Sequence, residues 1–516
     1  MNRNQGIART GLIIGLLIAV AIVVLFLLPT PQPGPAALAA VTKAVAPADC
    51  LTLPADFSTP AVIAAAPPAN LWQHWQYGAA VTLSAEPQQG LMDEPVSIRV
   101  TGLKPDEPIT LRASMLGYQK HTWVADATFL ADQNGVVDAT RQAPKYGGYS
   151  GVHAMGLVWS MLPEKVEHPH EIFYAPDTLK NGAFPIQLEA RADGRVLAQT
   201  TLTRHVQAPG VKAMPVNADG LVGEFFSPAT PGPHPAIVVL GGSEGGLYPQ
   251  VNEAALFASH GYAALGLAYF QGVEGNDPRL AHLPRMLVNI PLEYFVKAAH
   301  WLKRQPGVDP HHVAIMGWSK GAEAALITAA RFPQEFQAVI GFMPSSVVWE
   351  GLQYGPGPAS SSWSLAGKPL AWTGFDASTI AAMVTSGKPI RFVGIYRAAL
   401  KNTVAVEKSA IPVENIRGPV LLISAGDDQI WPSPLMAKQI MERLTAHHQV
   451  YRDESLCYAD AGHAILPPYR PTNASLVAFP GGSFAFGGNP IAYAFADRDA
   501  WNKVLTFLHQ SLAATR

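Results

Sequence analysis

The hydrophobic pattern changes character three times along the chain. Leu12 to Leu28 is a run of seventeen residues without charge or strong polarity, preceded by Arg3 and Arg9 and ended by Pro29. At 1.5 Å per residue the run spans about 26 Å, close to the ~30 Å core of a bilayer and longer than the apolar core of a cleaved signal. It predicts an uncleaved transmembrane anchor within residues 1–34. The alternatives are a signal cleaved after Ala37-Leu38-Ala39 and, third, a buried soluble helix. The next basic residue after the run is Lys43, so the positive charges lie before it and place the body on the non-cytoplasmic side, periplasmic or extracellular. Residues 35–75 are rich in Pro and Ala with little periodicity, which predicts a linker.

Residues 76–208 read in short alternating runs: Val96, Ile98 and Val100; Ile109, Leu111 and Ala113; Ile186, Leu188 and Ala190; and Val196 and Ala198 after the turn Ala192-Asp193-Gly194. Period-2 alternation between turns predicts a small antiparallel β-sandwich. From 209 to 516 the runs become short and continuous: AIVVLGG (236–242), AALGLAY (263–269), VAIMG (313–317), AVIGFMP (338–344) and PVLLISAG (419–426). Such runs suit strands buried on both faces of a mostly parallel sheet. Between them lie helical patterns, such as Leu292, Phe295, Val296, Ala299 and Leu302 after Pro291. Alternating strand and helix gives an open α/β sheet. Residues 345–410 fit neither pattern and read as an insertion near the site, a candidate lid.

Composition narrows the partners. With 36 Lys+Arg against 38 Asp+Glu the formal net charge is −2, which argues against a nucleic-acid surface built on clustered basic residues. At 48% hydrophobic and 14% charged, the chain is suited to large cores rather than disorder. Cys50 and Cys457, its two cysteines, cannot make a thiolate zinc site; in an oxidising compartment they could pair or stay as separate thiols. No H-E-x-x-H, clustered Cys/His or EF-hand pattern calls for a metal, and no cofactor motif is present.

The chemical signal is Gly317-Trp318-Ser319-Lys320-Gly321, which follows the strand VAIMG and precedes the helix pattern AEAALITAARF. G-x-S-x-G between strand and helix is a nucleophile elbow, a sharp turn that projects the serine hydroxyl above the sheet. Ser319 needs a base, and in this arrangement an acid and a histidine follow in that order. Asp428 in SAGDDQIWPS is the acid, with Asp427 as the alternative, and His463 in ADAGHAILPPY is the base. The oxyanion donors are the Lys320 N–H at the start of the helix and Gly242 or Ser243 in the glycine-rich loop LGGSEGG.

The segments PGPHPAIVVLGGSEGG, GYAALGLAYF, IPLEYFVKAAHWLKRQPGV, IMGWSKGAE, AGDDQIWPS, DAGHAILPPY and FGGNPIAYAFADRDAW resemble, in that order, the acyl-CoA thioesterase and bile acid-CoA:amino acid N-acyltransferase family. DEPVSIRVTGLKP and GVHAMGLVWSMLPE resemble its N-terminal immunoglobulin-like domain, so the resemblance covers about residues 76–514. It implies an α/β hydrolase behind an immunoglobulin-like sandwich, with Ser319, Asp428 and His463 as the triad. The conjugating members of the family carry Cys at the nucleophile, whereas Ser319 favours discharge of the acyl-enzyme by water. Two departures stand out. His153 occupies a position where an acidic residue is expected, with interdomain packing as its simplest role. The export signal would also place the body where CoA esters are scarce.

The expectation is a serine hydrolase of acyl thioesters acting through an acyl-enzyme, its partner a small-molecule acyl thioester or ester. The rivals are an exported carboxylesterase, an acyltransferase to an amine or alcohol, and a non-catalytic anchored binding protein.

Overall fold

The computed structural model describes residues 50–513, with breaks at 55–56, 58–65, 79, 118–120, 166–181, 249, 273–276, 354–356, 385–387, 449 and 480–481. The apolar run Leu12–Leu28 and the candidate cleavage site lie outside the described residues. Among those described, no helix is long and apolar enough to cross a membrane.

The C-terminal half is built on eight strands: β1 (Lys212–Ala218), β2 (Leu221–Ser227), β3 (His234–Leu240), β4 (Ala263–Ala268), β5 (Val308–Trp318), β6 (Ala338–Phe342), β7 (Val420–Ala425) and β8 (Glu454–Tyr458). They lie in the order β1-β2-β4-β3-β5-β6-β7-β8. The pairs β1/β2 and β2/β4 are antiparallel and the others parallel. The continuous apolar runs have a direct cause here, because successive side chains enter two separate cores. Val239, Met316, Ile340 and Leu421 join one, and Val238, Ile315, Val339 and Leu422 the other. Five helices complete the layers: α1 (Gln250–Ser259), α2 (Leu292–Lys303), α3 (Lys320–Arg331), α4 (Ser433–Ala446) and α5 (Pro490–Leu512). This is the α/β-hydrolase sheet order. β8, Glu454–Tyr458, is the strand that leads into the segment carrying His463.

Ahead of it are a three-stranded sheet, which includes Thr82–Glu86 and Ser97–Thr101, and a seven-stranded one whose centre is Arg195–His205, Ala183–Ala192, Pro108–Leu116 and Thr122–Leu130. Ile98, Val100, Ile109, Leu111, Ile186 and Leu188 are buried in one core, as their alternation requires. Val196 departs from it: the ladder shifts between Val196 and Ala198, which turns Val196 outward to 44% exposure.

Two expectations are corrected. The Pro/Ala-rich stretch is not wholly a linker. Cys50 is disulfide-bonded to Cys457, Leu51 adds a parallel bridge to Tyr458 at the edge of β8, and Phe57 is buried against His153, Phe495 and Arg498. This strap crosses from the sheet edge to the seam between the two halves. The second is the insertion: its first half is not a lid but packed scaffold. Trp349 and Trp363 are fully buried, and Trp363–Leu365 pairs with Ile290–Pro291 just before α2. Compositional oddity misled here, because lone aromatics among Ser and Gly carry no period although Trp349 and Trp363 fill core positions.

Candidate active site

Ser319 sits between β5 and α3 with φ 53° and ψ −116°, a conformation rare for a residue with a side chain. The flanking glycines are required by close approach. A Cβ on Gly317 would lie 2.2 Å from the Gly321 carbonyl carbon, and one on Gly321 would lie 2.2 Å from the Gly241 oxygen. The turn is held from outside as well: the Ser319 N–H donates to Phe342 O at 2.8 Å, the Trp318 ring stacks on Phe342, and the Trp318 indole donates to Ile465 O at 3.0 Å.

Three parallel-strand ends bring the triad residues together. His463 Nε2 lies 3.0 Å from Ser319 Oγ, and its Nδ1 lies 2.9 Å from each Asp428 oxygen. With Asp428 ionised, Nδ1–H donates and Nε2 is left to accept from the serine. Asp428 is itself fixed, accepting from the N–H groups of Ile430 and Trp431 at 3.0 and 3.1 Å and from Ser433 Oγ at 2.6 Å. The Trp431 and Phe486 rings meet the imidazole edge to face. Asp427 is not part of this relay. Its Oδ2 accepts from Gly488 N at 2.9 Å and its Oδ1 from Gln429 Nε2 at 2.6 Å, so it pins the glycine turn behind His463.

The loop after β3 runs along the other side. A Cβ on Gly242 would lie 3.4 Å from Ser319 Cβ, so the loop touches the elbow. The Gly242 N–H donates to Glu244 Oε1 at 2.7 Å, a carboxylate that sequence reasoning did not single out. Gly242 is therefore engaged by its own loop, while Ser243 and Lys320, the first residue of α3, complete the set of candidate backbone donors. The Lys320 side chain turns inward instead of into solvent, and its Nζ pairs with Glu323 Oε2 at 2.8 Å, both groups buried. Burial pushes the ammonium down and the carboxyl up, against their mutual attraction. The spacing of three between Lys320 and Glu323 in a first helical turn was the available signal for this pair.

His153 is packed against Phe57, Tyr149 and Trp159, in keeping with a packing role. Among the described residues no group of three or more His, Cys, Asp or Glu is placed to hold a metal ion.

Comparison with known proteins follows the same geography. Residues 290–514 match the BAAT/acyl-CoA thioester hydrolase C-terminal family, and residues 93–218 match the acyl-CoA thioester hydrolase/BAAT N-terminal region. Residues 221–354 also match the dienelactone hydrolase family. Acyl-coenzyme A thioesterase 1 of Homo sapiens is 33% identical over 438 residues, 84% of this chain and 97% of that protein. The mitochondrial acyl-coenzyme A thioesterase 2 of Homo sapiens is 33% identical over 438 residues, 84% and 85% respectively. Acyl-coenzyme A thioesterase 1 of Rattus norvegicus is 31% identical over 442 residues, 84% and 97%.

Proposed function

Because this chain belongs to the acyl-CoA thioester hydrolase/BAAT family, we propose that it is a serine hydrolase of acyl thioesters working through an acyl-enzyme on Ser319. The observation that carries the reading is the unbroken relay Ser319–His463–Asp428 on a strained elbow. Ser319 Oγ bonds to the acyl carbon as His463 Nε2 takes its proton, and Asp428 keeps Nδ1 protonated and stabilises the imidazolium. The oxygen that gains charge is held by the N–H groups of Lys320 and Ser243; the Gly242 N–H can join once the Glu244 carboxylate leaves it. Collapse breaks the C–S bond and His463 returns the proton to the leaving thiolate. Water, deprotonated by His463, then attacks the acyl carbon; the bond to Ser319 Oγ breaks, His463 returns the proton to Oγ, and the acid leaves. Serine at this position favours water over an amine acceptor, so transfer to glycine or taurine is not expected.

The proposal extends to place. We read residues 76–208 as an immunoglobulin-like domain and residues 209–516 as the catalytic domain, exported and tethered by the apolar run at Leu12–Leu28. The disulfide between Cys50 and Cys457 supports export, because such bonds persist in oxidising compartments. The same disulfide favours a second reading, a carboxylesterase that uses this machinery on oxygen esters where CoA esters are scarce.

The test is to offer the purified chain lauroyl-CoA and p-nitrophenyl butyrate beside Ser319→Ala. Thiol release lost in the variant supports the thioesterase. Ester cleavage without thiol release supports the second reading, and turnover surviving in Ser319→Ala contradicts both.

A further inference from the structure

Both sides of the oxyanion site rest on one buried polar network that the triad does not use. On the elbow side, Glu323 is fully buried in the first turn of α3. Its Oε2 takes the Lys320 ammonium at 2.8 Å. Its Oε1 accepts from the Trp349 N–H at 3.0 Å and the Trp363 indole N–H at 2.7 Å, both from the insertion. On the loop side, the Tyr269 hydroxyl, just past the end of β4, shares its one hydrogen between Gly241 O at 2.8 Å and Gly242 O at 3.0 Å. The two sides meet in ring contacts: Trp363 lies 5.9 Å from Tyr269, and both pack on Phe295.

Peptide geometry turns these contacts into aim. In a trans peptide the C=O of one residue and the N–H of the next point in opposite directions. A hydroxyl that draws the Gly241 and Gly242 carbonyls toward the sheet interior therefore turns the Gly242 and Ser243 N–H groups outward, to the side where Gly242 faces Ser319. Lys320 is tied down as well, its ammonium anchored on Glu323 and lying over the Trp363 ring at the first turn of α3. Burying an ion pair is a poor way to gain stability. An exposed lysine would serve a G-x-S-x-G turn equally well if turning were all that was needed.

We propose that Glu323, Trp363 and Tyr269 are positioning residues that hold the Lys320 and Ser243 N–H donors in register with each other, making the insertion part of the oxyanion apparatus. Burial keeps the Tyr269 hydroxyl protonated, as a donor must be. The inference rests on Ser319 being the nucleophile.

The experiment uses the full chain with Tyr269→Phe, Glu323→Gln and Ser319→Ala, each checked for folding by circular dichroism. For whichever of lauroyl-CoA or p-nitrophenyl butyrate the wild type turns over, the first two variants should lose roughly 10- to 100-fold in kcat, with KM within about threefold. A long-chain alkyl trifluoromethyl ketone, whose adduct needs the oxyanion donors, should bind more weakly by a similar factor. Folded variants that keep rate and inhibitor affinity within about twofold overturn the proposal, and so does a loss carried by KM alone. Tyr269→Phe deletes one oxygen and keeps the ring, so it decides alone if Glu323→Gln fails to fold. Turnover persisting in Ser319→Ala would instead remove the nucleophile assignment. An inactive Ser319→Ala beside two normal variants removes the network alone.

Discussion

Asp427 and Asp428 are adjacent, both buried and both at the end of β7, yet their partners differ completely. One ties down a glycine turn and the other holds an imidazole. Asp428→Asn keeps the shape but offers an amide where Nδ1–H needs an acceptor on both oxygens, which favours the wrong tautomer. It should lower kcat by about 10³- to 10⁴-fold. Asp427→Asn should act through the Gly488 turn, lowering stability by about 1–3 kcal/mol with less than a tenfold change in kcat. Steady-state kinetics beside chemical denaturation separates the two. The cluster of Ser319, Asp428 and His463 was readable because each follows a strand in a fixed order, while Asp427 stood as the alternative until the hydrogen-bond partners separated the two. Tyr269 was hidden, since its partners lie 28 and 27 residues away and no short pattern encodes a hydroxyl meeting a distant carbonyl; for Glu323 the spacing of three marks Lys320 but not Trp349 and Trp363, 26 and 40 residues away.

Among elements, the strap and the insertion carry what the pattern concealed. Period-2 and continuous apolar runs located the strands because burial on one or two faces leaves that mark. Among the described residues the strap is held by the disulfide, the Leu51 bridge to β8, and Leu53 and Phe57 packed on the core, none of which generates a period. Cys457 lies six positions before His463, so the strap braces the strand that leads to that histidine. Replacing both cysteines, Cys50→Ser with Cys457→Ser, should lower stability by about 2–5 kcal/mol because the bond closes a very long loop. Urea unfolding of this variant against the oxidised wild type measures it, and an unchanged midpoint would show that the strap is not holding the fold.

Across the whole molecule, the seam between the two halves is polar as well as aromatic. Asp93 Oδ2 accepts from the Trp501 indole at 2.7 Å and pairs with His260 Nε2 at 2.6 Å, just beyond α1. Burial disfavours the charged imidazole, but the hydrogen bond and charge of Asp93, with Glu94 nearby, outweigh it and raise its pKa above the usual 6.5. Glu253 on α1 is raised to about 8, by burial that outweighs the Arg470 charge and with Glu244 adding to it. Both groups hold their protons more tightly folded than unfolded. Their contribution is therefore complete below the unfolded pKa values, and it is lost as pH rises through the folded ones. The melting temperature should fall from pH 6 to about pH 8.5, and Glu253→Gln should flatten the upper part of that slope. A melting temperature that rises over this range would contradict the assignment.

Turnover through Ser319 requires a covalent acyl group on its Oγ, which intact-mass spectrometry of the chain quenched during turnover of lauroyl-CoA would detect. One acyl addition is expected, mapping to the peptide that carries Ser319 and absent from Ser319→Ala, which should also lose several orders of magnitude in turnover. Full turnover by Ser319→Ala, or an acyl group mapped to another residue, would contradict it.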